Sequence, residues 1–326
     1  MNVLVTGGAG YIGSHAVMAL AEAGHTPIVL DSLEKGHPES VSEAELIHGN
    51  VMDHDLVSRV CRQFNIDAVM HFAAFIEVGE SMAEPVKYFS NNTMAVMSLL
   101  KTIQENGVNI FIFSSTAAVY GQPQHVPITE SEPKQPINVY GHSKLMVEQT
   151  CEWLSRLTDF RYSALRYFNA CGAHPSGRIG EAHKPESHLI PLILQVPLGQ
   201  RKAISIYGDD YDTPDGTCIR DYIHVWDLAL AHVKAMEYLA NGGESGAFNL
   251  GTGNGYSVKE IIDCARKVTG HAIPADIMPR RPGDPARLVA DPARAKETLA
   301  WKATMSDIDN IVDSAWRWHT SHPHGY

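Results

Sequence analysis

The chain has 326 residues, of which 44% are hydrophobic and 19% are charged, a composition typical of a globular protein with room for two lobes. Its 26 basic and 37 acidic residues give a formal net charge of −11, which argues against nucleic-acid binding driven by phosphate neutralisation. Because no apolar run reaches the ~18 residues of a membrane span, we expect neither nucleic acid nor a membrane among the partners.

Strands and helices are predicted to alternate in the first half of the chain. MNVLVTGGAG predicts a strand and a glycine turn, and YIGSHAVMALAEAG predicts an amphipathic helix that ends at Gly24. TPIVLDSL predicts a second strand that ends at Asp31, AELIHGNV a third strand, HDLVSRVCRQFN a helix and IDAVMHFAA a buried strand. A long helix is then predicted over EPVKYFSNNTMAVMSLLKTIQENG, with Pro85 near its start and Gly107 at its end.

The alternation continues to about residue 173. NIFIFSSTAAVYG predicts a strand, GQPQHVPITESEPKQPIN a loop, VYGHSKLMVEQTCEWLSR a helix and RYSALRYFNACG another strand. This order predicts an α/β fold, with a parallel, doubly wound sheet of the Rossmann type and helices on both faces. Since the later elements are shorter and mixed, we expect one domain over 1–173 and a smaller, mixed α/β domain over 174–326, some of whose segments return to the first lobe.

The cysteines and the C-terminal histidines predict no metal site. The five cysteines are scattered and odd in number, and none forms a C-x-x-C pair, so neither a disulfide framework nor zinc is expected. The stretch WRWHTSHPHGY holds three histidines, but their spacing does not match a defined site. The chain opens directly into a strand instead of a signal peptide, and a reducing cytoplasm is the expected location.

The segment GGAGYIG follows a predicted strand and opens a predicted helix. It matches two glycine spacings that bind dinucleotides, through Gly7 or Gly8 together with Gly10 and Gly13. Glycines let the backbone approach a pyrophosphate, which the positive end of the helix then favours. Asp31 ends the next strand 18 residues after Gly13, where an acid would bond a ribose 2′-hydroxyl. The alternative is a tight turn without a ligand, but the strand, the helix and the acid together favour dinucleotide binding, and the acid favours NAD over NADP.

Tyr140 and Lys144 are four residues apart and so share one face of a predicted helix. Alone, the pair could simply belong to an amphipathic helix. Beside a dinucleotide, however, an ammonium and a cationic nicotinamide would favour the phenolate of a tyrosine whose free pKa is about 10. Tyr140 could then take a proton from a substrate hydroxyl while hydride leaves for NAD, and Lys144 could reach the nicotinamide ribose.

A third group is needed to orient the substrate hydroxyl. Ser114, Ser115 and Thr116 follow the strand FIF, at the strand end that faces the ligand crevice in such sheets. We select Thr116 for this role. The alternative is that these hydroxyls only cap the following turn.

The glycine loop, the hydroxyl cluster and the Y-x-x-x-K spacing together resemble the extended short-chain dehydrogenase/reductase family. Further segments are similar to the sugar-nucleotide epimerases of that family: HFAAFIEVGES at 71–81, RYFNACGAHPSGRIGE at 166–181, IRDYIHVWDLALAHVKAME at 219–237, and the terminal HPHGY. The resemblance runs over the whole chain, and the segments 166–181 and 219–237 are specific to those epimerases.

The resemblance implies an enzyme that keeps NAD bound and inverts C4 of a UDP-hexose. UDP-galactose and UDP-glucose would interconvert through a transient 4-keto sugar, with Tyr140, Lys144 and Thr116 as the catalytic residues. The domain 174–326 would bind the nucleotide sugar. A homodimer is also implied, formed by the helices at 85–106 and 140–156 across a two-fold axis.

Other site residues follow from the resemblance, position by position. Residues implied at the cofactor are Gly7, Gly10, Tyr11, Ile12, Gly13, Asp31, Asn50, Val51, Phe72, Ala73, Ala74, Asn91, Ser114, Tyr140, Lys144 and Phe168. Residues implied at the substrate are Thr116, Tyr140, Asn169, His188, Leu189, Ser205, Tyr207, Arg220, Arg281, Asp284 and Leu288. The two arginines would clamp the diphosphate with their forked donors, and Tyr207 would stack on uracil. Without the resemblance, most of these residues would be interpreted as core residues or surface ion pairs.

The chain departs from the family pattern at several of these positions. The departures are Thr116 for serine, Asn50 for aspartate, Ile76 for lysine, His188 for asparagine and Leu288 for tyrosine. The tyrosine acts in the family as a gate beside the sugar 2-substituent. Leucine is smaller, so we expect side activity on UDP-N-acetylhexosamines.

Three other functions remain as alternatives. A sugar-nucleotide 4,6-dehydratase would need an Asp-Glu pair where the chain has Ala117 and Ala118. A plain dehydrogenase would exchange its nicotinamide in each turnover and release a net redox product. A catalytically inactive NAD sensor would not need the complete set of catalytic side chains.

Overall fold

A parallel β-sheet organises the first lobe of the chain, whose computed structural model describes residues 1–281 and 284–326. In chain order, the strands of these residues are β1 (Asn2–Thr6), β2 (Thr26–Asp31), β3 (Glu45–His48), β4 (Ala68–His71), β5 (Ile110–Ser114), β6 (Arg161–Tyr167), β7 (Asn169–Cys171), β8 (Ile204–Tyr207), β9 (Ile219–Arg220), β10 (Tyr222–His224), β11 (Gly246–Leu250), β12 (Tyr256–Ser257), β13 (Ala275–Met278) and β14 (Arg287–Leu288). Seven of them form one sheet in the order β11-β6-β5-β4-β1-β2-β3, with every pair parallel. The order reverses between β1 and β4, where such sheets open a ligand crevice. The predicted doubly wound α/β fold is therefore confirmed.

Helices cover both faces of this sheet. They are α1 (Tyr11–Glu22), α2 (His54–Gln63), α3 (Val78–Ala83), α4 (Pro85–Phe89), α5 (Ala95–Glu105), α6 (Val139–Leu157), α7 (Leu189–Leu194), α8 (Val225–Ala240), α9 (Val258–Thr269), α10 (Ala293–Thr298) and α11 (Ile308–Ser321). Side chains of β1 alternate between the faces. Val3 and Val5 pack with α1 and α8 on one side, and Leu4 packs with α2, α5 and α6 on the other. No helix of the described residues is long and apolar enough to cross a membrane.

Two elements differ from the sequence-based prediction. The long helix at 85–106 contains a π-helical turn over Ser90–Met94, which separates α4 from α5. The segment RYSALRYFNACG forms two strands, because the chain leaves the main sheet at Phe168 and β7 pairs with β10 instead. A π-turn adds a residue to the helical ladder and is frequent at functional sites, which periodicity alone does not reveal.

The second lobe is built from small sheets and three helices. The sheets are β10-β7, β12-β9-β14 and β13-β8, and a separate apolar cluster joins α7, α9 and α11 through residues such as Ile193, Ile261 and Ile311. Three later elements belong to the first lobe: β11 completes the main sheet, α8 packs against α1, and α10 packs against β11. The division of the chain at residue 173 stays a prediction.

A buried ion pair ties the main sheet to α6. Arg166 on β6 donates from Nε to Glu148 Oε1 at 2.9 Å and from Nη2 to Oε2 at 2.5 Å, and the two side chains are only 3% and 5% exposed. Arg166 Nη1 also donates to the Tyr120 hydroxyl at 2.8 Å, and that hydroxyl donates to Asn249 Oδ1 on β11 at 2.7 Å. Ser115 Oγ donates to Glu148 Oε1 at 2.5 Å. Strands β5, β6 and β11 are thus fixed to one helix by charge-assisted bonds.

Removing one partner of this pair should destabilise the protein strongly. We expect Arg166→Met to lower the free energy of unfolding by about 3–5 kcal/mol, because it leaves a buried carboxylate without its cation. Urea denaturation measures this change. The control is Arg317→Met, which breaks an ion pair to Asp313 whose side chains are 55% and 53% exposed. That control should change stability by less than about 1 kcal/mol, and equal losses in both variants would contradict the argument.

Candidate active site

The turn between β1 and α1 forms a cradle that leaves no space for side chains. A Cβ on Gly13 would lie 2.2 Å from the Gly7 carbonyl oxygen, and one on Gly7 would lie 2.4 Å from the Ala73 amide nitrogen. Gly7 also has a φ of +72°. The N–H groups of the first turn of α1, at Tyr11, Ile12 and Gly13, have no acceptor within the helix. Backbone donors and the helix dipole therefore meet at a site that fits a pyrophosphate.

Asp31 is held in position at the end of β2. It is 8% exposed, its Oδ2 accepts from the Ala9 amide at 2.9 Å and its Oδ1 accepts from the Leu33 amide at 2.8 Å. Each carboxylate oxygen keeps a lone pair that can accept from a ribose hydroxyl. The Gly49 amide donates to the Asp31 carbonyl at 3.0 Å, which brings Asn50 and Val51 to the same edge. Together with the cradle, these residues fit an NAD cofactor.

The remaining residues predicted at the cofactor lie after the next strands of the sheet. The amides of Phe72 and Ala73 both donate to the Thr6 carbonyl, at 2.8 and 3.1 Å, so the segment 72–74 lies against the glycine turn. In the π-helical turn, Asn91 donates to Asn92 Oδ1 at 3.0 Å. Asn92 also exchanges hydrogen bonds of 2.9 Å with the backbone amide and carbonyl of Phe75. Asn92 was not predicted as a site residue, although its position next to Asn91 could have indicated such a role.

Local capping and close packing bring the catalytic residues together. The Asn138 side chain accepts from the Gly141 amide at 2.7 Å and starts α6 just before Tyr140. A Cβ on Gly141 would lie 2.5 Å from the Ala118 carbonyl oxygen, so glycine lets α6 approach the 3₁₀ turn Ala117–Tyr120. This approach brings the Tyr140 phenol close enough to the Thr116 hydroxyl for that hydroxyl to lower the pKa of the phenol.

Thr116 also caps the turn that follows it. Its Oγ1 accepts from the Ala118 amide at 3.1 Å, as the alternative interpretation of these hydroxyls predicted. This bond uses a lone pair and leaves the hydroxyl proton free to donate. Capping and catalysis are therefore compatible, because the cap fixes the rotamer of a hydroxyl that faces the phenol.

Lys144 lies one helical turn from Tyr140 and is 2% exposed. Its Nζ donates to the Ser114 carbonyl oxygen at 2.9 Å and lies 5.0 Å from the centre of the Phe113 ring. Burial lowers the pKa of Lys144 to about 7. Burial also raises the pKa of Tyr140 to about 12, and the Thr116 hydroxyl offsets part of that rise. In the protein alone the phenol is therefore neutral, and the lysine is close to its titration midpoint at neutral pH.

Several residues predicted at the substrate are connected to this centre. Arg220 is 9% exposed and donates from Nη2 to Asp284 Oδ1 at 2.8 Å. It pairs in register with Leu288, which packs in one small apolar cluster with Phe168. The Asn169 amide donates to the Asp221 carbonyl at 3.1 Å, beside Arg220.

The structure also places predicted residues in a second group. Ser205 and Tyr207 lie on β8, in the two-stranded sheet with β13. The guanidinium of Arg281 lies 4.0 Å from the centre of the Tyr207 ring, a cation–π arrangement, and that ring is 38% exposed. His188 and Leu189 mark the start of α7.

Some residues that support the site were missed from the sequence. Asp221 is fully buried, and its carboxylate accepts from the amides of Thr252, Gly253 and Ala290 at 2.9–3.2 Å. It thereby fixes the strand that carries Arg220. Burial raises the pKa of Asp221 to about 6, against the lowering effect of these bonds. Glu148 and Arg166 were also missed, although a charged residue inside a predicted buried strand was a signal.

Four other side chains place metal-ligating atoms close together, although no metal site was predicted from the sequence. These are Glu181, His183, Glu186 and His188, whose ligand atoms all lie within 4.8 Å of one another. His188, predicted at the substrate diphosphate, belongs to this group through its Nδ1.

The fold and the site define an NAD-binding enzyme of the extended short-chain dehydrogenase/reductase class. The sequence profile of the NAD dependent epimerase/dehydratase family matches residues 3–251, so the chain belongs to that family. A protein of Halalkalibacterium halodurans named UDP-glucose 4-epimerase is 52% identical over 326 residues, which cover 100% of this chain and 98% of that protein.

Solved structures are similar over the same extent. UDP-glucose 4-epimerase from Brucella ovis in complex with NAD is 45% identical, with a TM-score of 0.95 over 97% of each chain. The UDP-Glc/GlcNAc 4-epimerase from Campylobacter jejuni is 40% identical, with a TM-score of 0.86 over 98% of this chain and 99% of that one. The resemblance predicted from the sequence motifs is confirmed.

A side chain in the glycine cradle should prevent cofactor binding. We expect Gly13→Ala to reduce the NAD content of the purified protein at least tenfold, because its Cβ would displace the turn that carries the pyrophosphate donors. The absorbance of the extracted cofactor, per mole of chain, measures the effect. Gly79→Ala is the matched control, since a Cβ there has no heavy atom within 4 Å. Undiminished NAD in Gly13→Ala would show that the cradle is not the cofactor site.

Proposed function

We propose that this chain interconverts UDP-glucose and UDP-galactose by inverting C4 of the hexose, with NAD as a resident cofactor. The observation that carries the proposal is the set of Thr116, Tyr140 and Lys144 beside a cradle shaped for a pyrophosphate. Relatives that cover the full chain and carry the name UDP-glucose 4-epimerase support the choice of substrate. Ala117 and Ala118 follow Thr116, so the acid and base of a 4,6-dehydratase are missing at those positions.

The chain's own residues would bind the cofactor and move one proton. The glycine turn would hold the pyrophosphate and Asp31 the adenosine ribose. When bound, the cofactor would supply reversible hydride transfer at C4, and its nicotinamide would supply a positive charge that favours the phenolate. Tyr140 Oη would take the proton of the sugar 4-hydroxyl and later give it back, while Thr116 Oγ1 orients that hydroxyl. The Lys144 ammonium would favour the phenolate.

Inversion also requires that the hexose can rotate within the site, so that its opposite face meets the nicotinamide, while the nucleotide stays in place. Arg220 and Arg281 supply forked donors for the diphosphate, and Tyr207 offers a ring for the uracil. The sugar end of the site would be lined instead by apolar side chains, Phe168 and Leu288, which both pack against one small apolar cluster. Such surfaces offer few hydrogen bonds that would hold the hexose in one orientation.

The purified protein should convert UDP-galactose to UDP-glucose without added cofactor. Tyr140→Phe should lower kcat by about 10²–10⁴-fold, because it removes the group that transfers the proton. Product analysis by chromatography, together with the NAD content per chain, checks both statements. Thr116→Ser keeps the hydroxyl and should stay active, whereas Thr116→Val should lose activity at unchanged NAD content. Stoichiometric release of free NADH would instead identify a plain dehydrogenase, and absence of product even with added NAD would identify an inactive NAD-binding protein.

We further propose side activity on UDP-N-acetylhexosamines. Leu288 packs in one cluster with Phe168, the residue proposed to flank the nicotinamide, and is smaller than the tyrosine of the family pattern. The similar Campylobacter jejuni enzyme is described as a UDP-Glc/GlcNAc 4-epimerase, which supports acceptance of an acetylated sugar in this family.

A larger gate residue should remove this side activity selectively. We expect Leu288→Tyr to lower kcat/KM for UDP-N-acetylgalactosamine by about 10–200-fold, because the ring would fill the space for the acetyl group. Activity on UDP-galactose should stay within about threefold, and Leu288→Met, which conserves the volume, serves as the control. Absence of turnover of the acetylated sugar by the unchanged protein would refute the proposal.

A homodimer is proposed through α4, α5 and α6. Helices α4 and α6 and the π-helical turn before α5 expose large apolar side chains, including Val86, Met94, Trp153 and Leu157, which are 76%, 59%, 61% and 74% exposed. A concentration of such residues is typical of an interface, and a second copy presents the same surface across a two-fold axis. Light scattering should give twice the chain mass of 35.8 kDa, and a mass of one chain would contradict the dimer.

A cytoplasmic location is proposed as well. All five cysteines of the described chain are free, as is expected in a reducing compartment. Nucleotide sugars and NAD would be available there to the proposed enzyme.

A further inference from the structure

Four metal-ligating side chains from one short segment meet between β7 and α7. They are Glu181, His183, Glu186 and His188, and we refer to them as the His/Glu cluster. The two carboxylate side chains are 3% and 8% exposed, and the two imidazoles are 22% and 40% exposed. Carboxylates at this depth need a compensating positive charge.

The ligand atoms of the cluster all lie within 4.8 Å of one another, a separation close to that within a coordination polyhedron. His183 Nδ1 lies 3.1 Å from Glu181 Oε1 and 3.9 Å from Glu186 Oε1, and His188 Nδ1 lies 3.8 Å from the same Glu186 oxygen. The fourth contact, between His188 Nδ1 and Glu181 Oε1, is also within hydrogen-bonding distance. Four ligands about 2.0–2.1 Å from a zinc ion form a tetrahedron with edges of about 3.3–3.4 Å. To hold an ion at equal distances from all four atoms, the contact of His188 with Glu181 would lengthen and the contacts of both histidines with Glu186 would shorten.

Contacts outside the cluster hold its ligands in place. Glu186 Oε1 accepts from the backbone amides of Ser187 and His188, both at 2.8 Å. The Glu181 carbonyl accepts from Trp318 Nε1 at 3.1 Å, and the His183 ring packs edge-on against Tyr11, with ring centroids 6.0 Å apart. Outer contacts of this kind orient the ligands of known metal sites.

The buried carboxylates of the cluster can be compared in two states, without a metal and with a bound divalent ion. Without a metal, the Nδ1 atoms of both imidazoles contact the same oxygen, Glu181 Oε1, and the ring centroids lie 5.2 Å apart. A single divalent ion would place two positive charges beside the two buried carboxylates and would bond to all four ligand atoms. Two imidazole nitrogens and two carboxylate oxygens suit Zn²⁺, whereas Mg²⁺ and Ca²⁺ prefer oxygen ligands throughout.

We propose that Glu181, His183, Glu186 and His188 form a closed, four-coordinate structural Zn²⁺ site. The ion would fix the segment that connects β7 to α7 where it contacts the phosphate loop. Tyr11 of the phosphate loop also contacts this segment through its hydroxyl, which donates to the Gly172 carbonyl at 2.6 Å. Coordination through Nδ1 leaves His188 Nε2 as the nitrogen that could contact the substrate diphosphate. No metal was predicted because the cysteines and the C-terminal histidines match no zinc pattern. The spacing E-x-H-x₂-E-x-H involves neither of these groups.

Metal analysis of the untagged, full-length protein tests the proposal directly. The protein is dialysed against Zn²⁺, then against metal-free buffer, and analysed by mass spectrometry for metal per chain. We expect about one Zn²⁺ per chain, and at least a tenfold loss of affinity for Zn²⁺ in His183→Ala and Glu186→Gln. The control is His54→Ala, because His54 contacts Asp55 and Glu105 at the surface without a second histidine. Circular dichroism verifies that each variant is folded.

Cobalt supplies a second readout that does not depend on variants. Co²⁺ added to the metal-free protein should produce the visible absorption bands of tetrahedral coordination, and Zn²⁺ should displace them. Bands of a six-coordinate ion, or zinc content near zero after dialysis of the unchanged protein, would overturn the proposal. Equal zinc content in His183→Ala, Glu186→Gln and His54→Ala would overturn it as well, since the metal would then be bound elsewhere.

Discussion

The buried ion pair between Arg166 and Glu148 is the interaction on which the arrangement of the active site depends. Ser115, which donates to Glu148, is the neighbour of Thr116, and Glu148 lies one helical turn beyond Lys144. The pair therefore fixes the strand end and the helix that carry the three proposed catalytic side chains. Burying two charges is expensive, and an apolar pair of the same volume is often at least as stable. The ion pair instead fixes the position of α6 relative to β5 and β6, because its geometry is satisfied in only one arrangement of these elements.

The proposed catalytic residues are themselves costly for the fold. An unfolded lysine has a pKa near 10.5, whereas burial lowers the pKa of Lys144 to about 7. Between these values the unfolded chain binds more protons than the folded one, so the contribution of Lys144 to stability rises with pH and is unfavourable at neutral pH. A site that keeps a lysine and a tyrosine away from water is organised for reactivity, and the rest of the molecule must supply the stability.

Different parts of the structure could be predicted from the sequence to different degrees. The main sheet could be predicted, because apolar segments such as β1 and β4 are short, regular and separated by helical patterns. The glycine turn and Asp31 could also be predicted, since their function depends on local spacing in the sequence. The π-helical turn at Ser90–Met94 could not, because one extra residue in a helix leaves no signal in the hydrophobic period. The partners of Arg166 could not either, since Glu148, Tyr120 and Asn249 come from distant segments that only the tertiary fold brings together. The placement of the substrate residues came from the family resemblance, not from spacing.

The return of β11 to the main sheet has a consequence for how the protein is made. Asn249 on β11 joins Tyr120 and the ion pair, so this network is incomplete until the ribosome has released about 250 residues. Until then β6 is the open edge of a parallel sheet, with unpaired backbone groups that can recruit a strand from another chain. The nascent polypeptide thus passes through a long interval in which most of its hydrophobic core is synthesised but not closed. A strand edge exposed in this way favours association with other chains until β11 has been synthesised and has paired with β6.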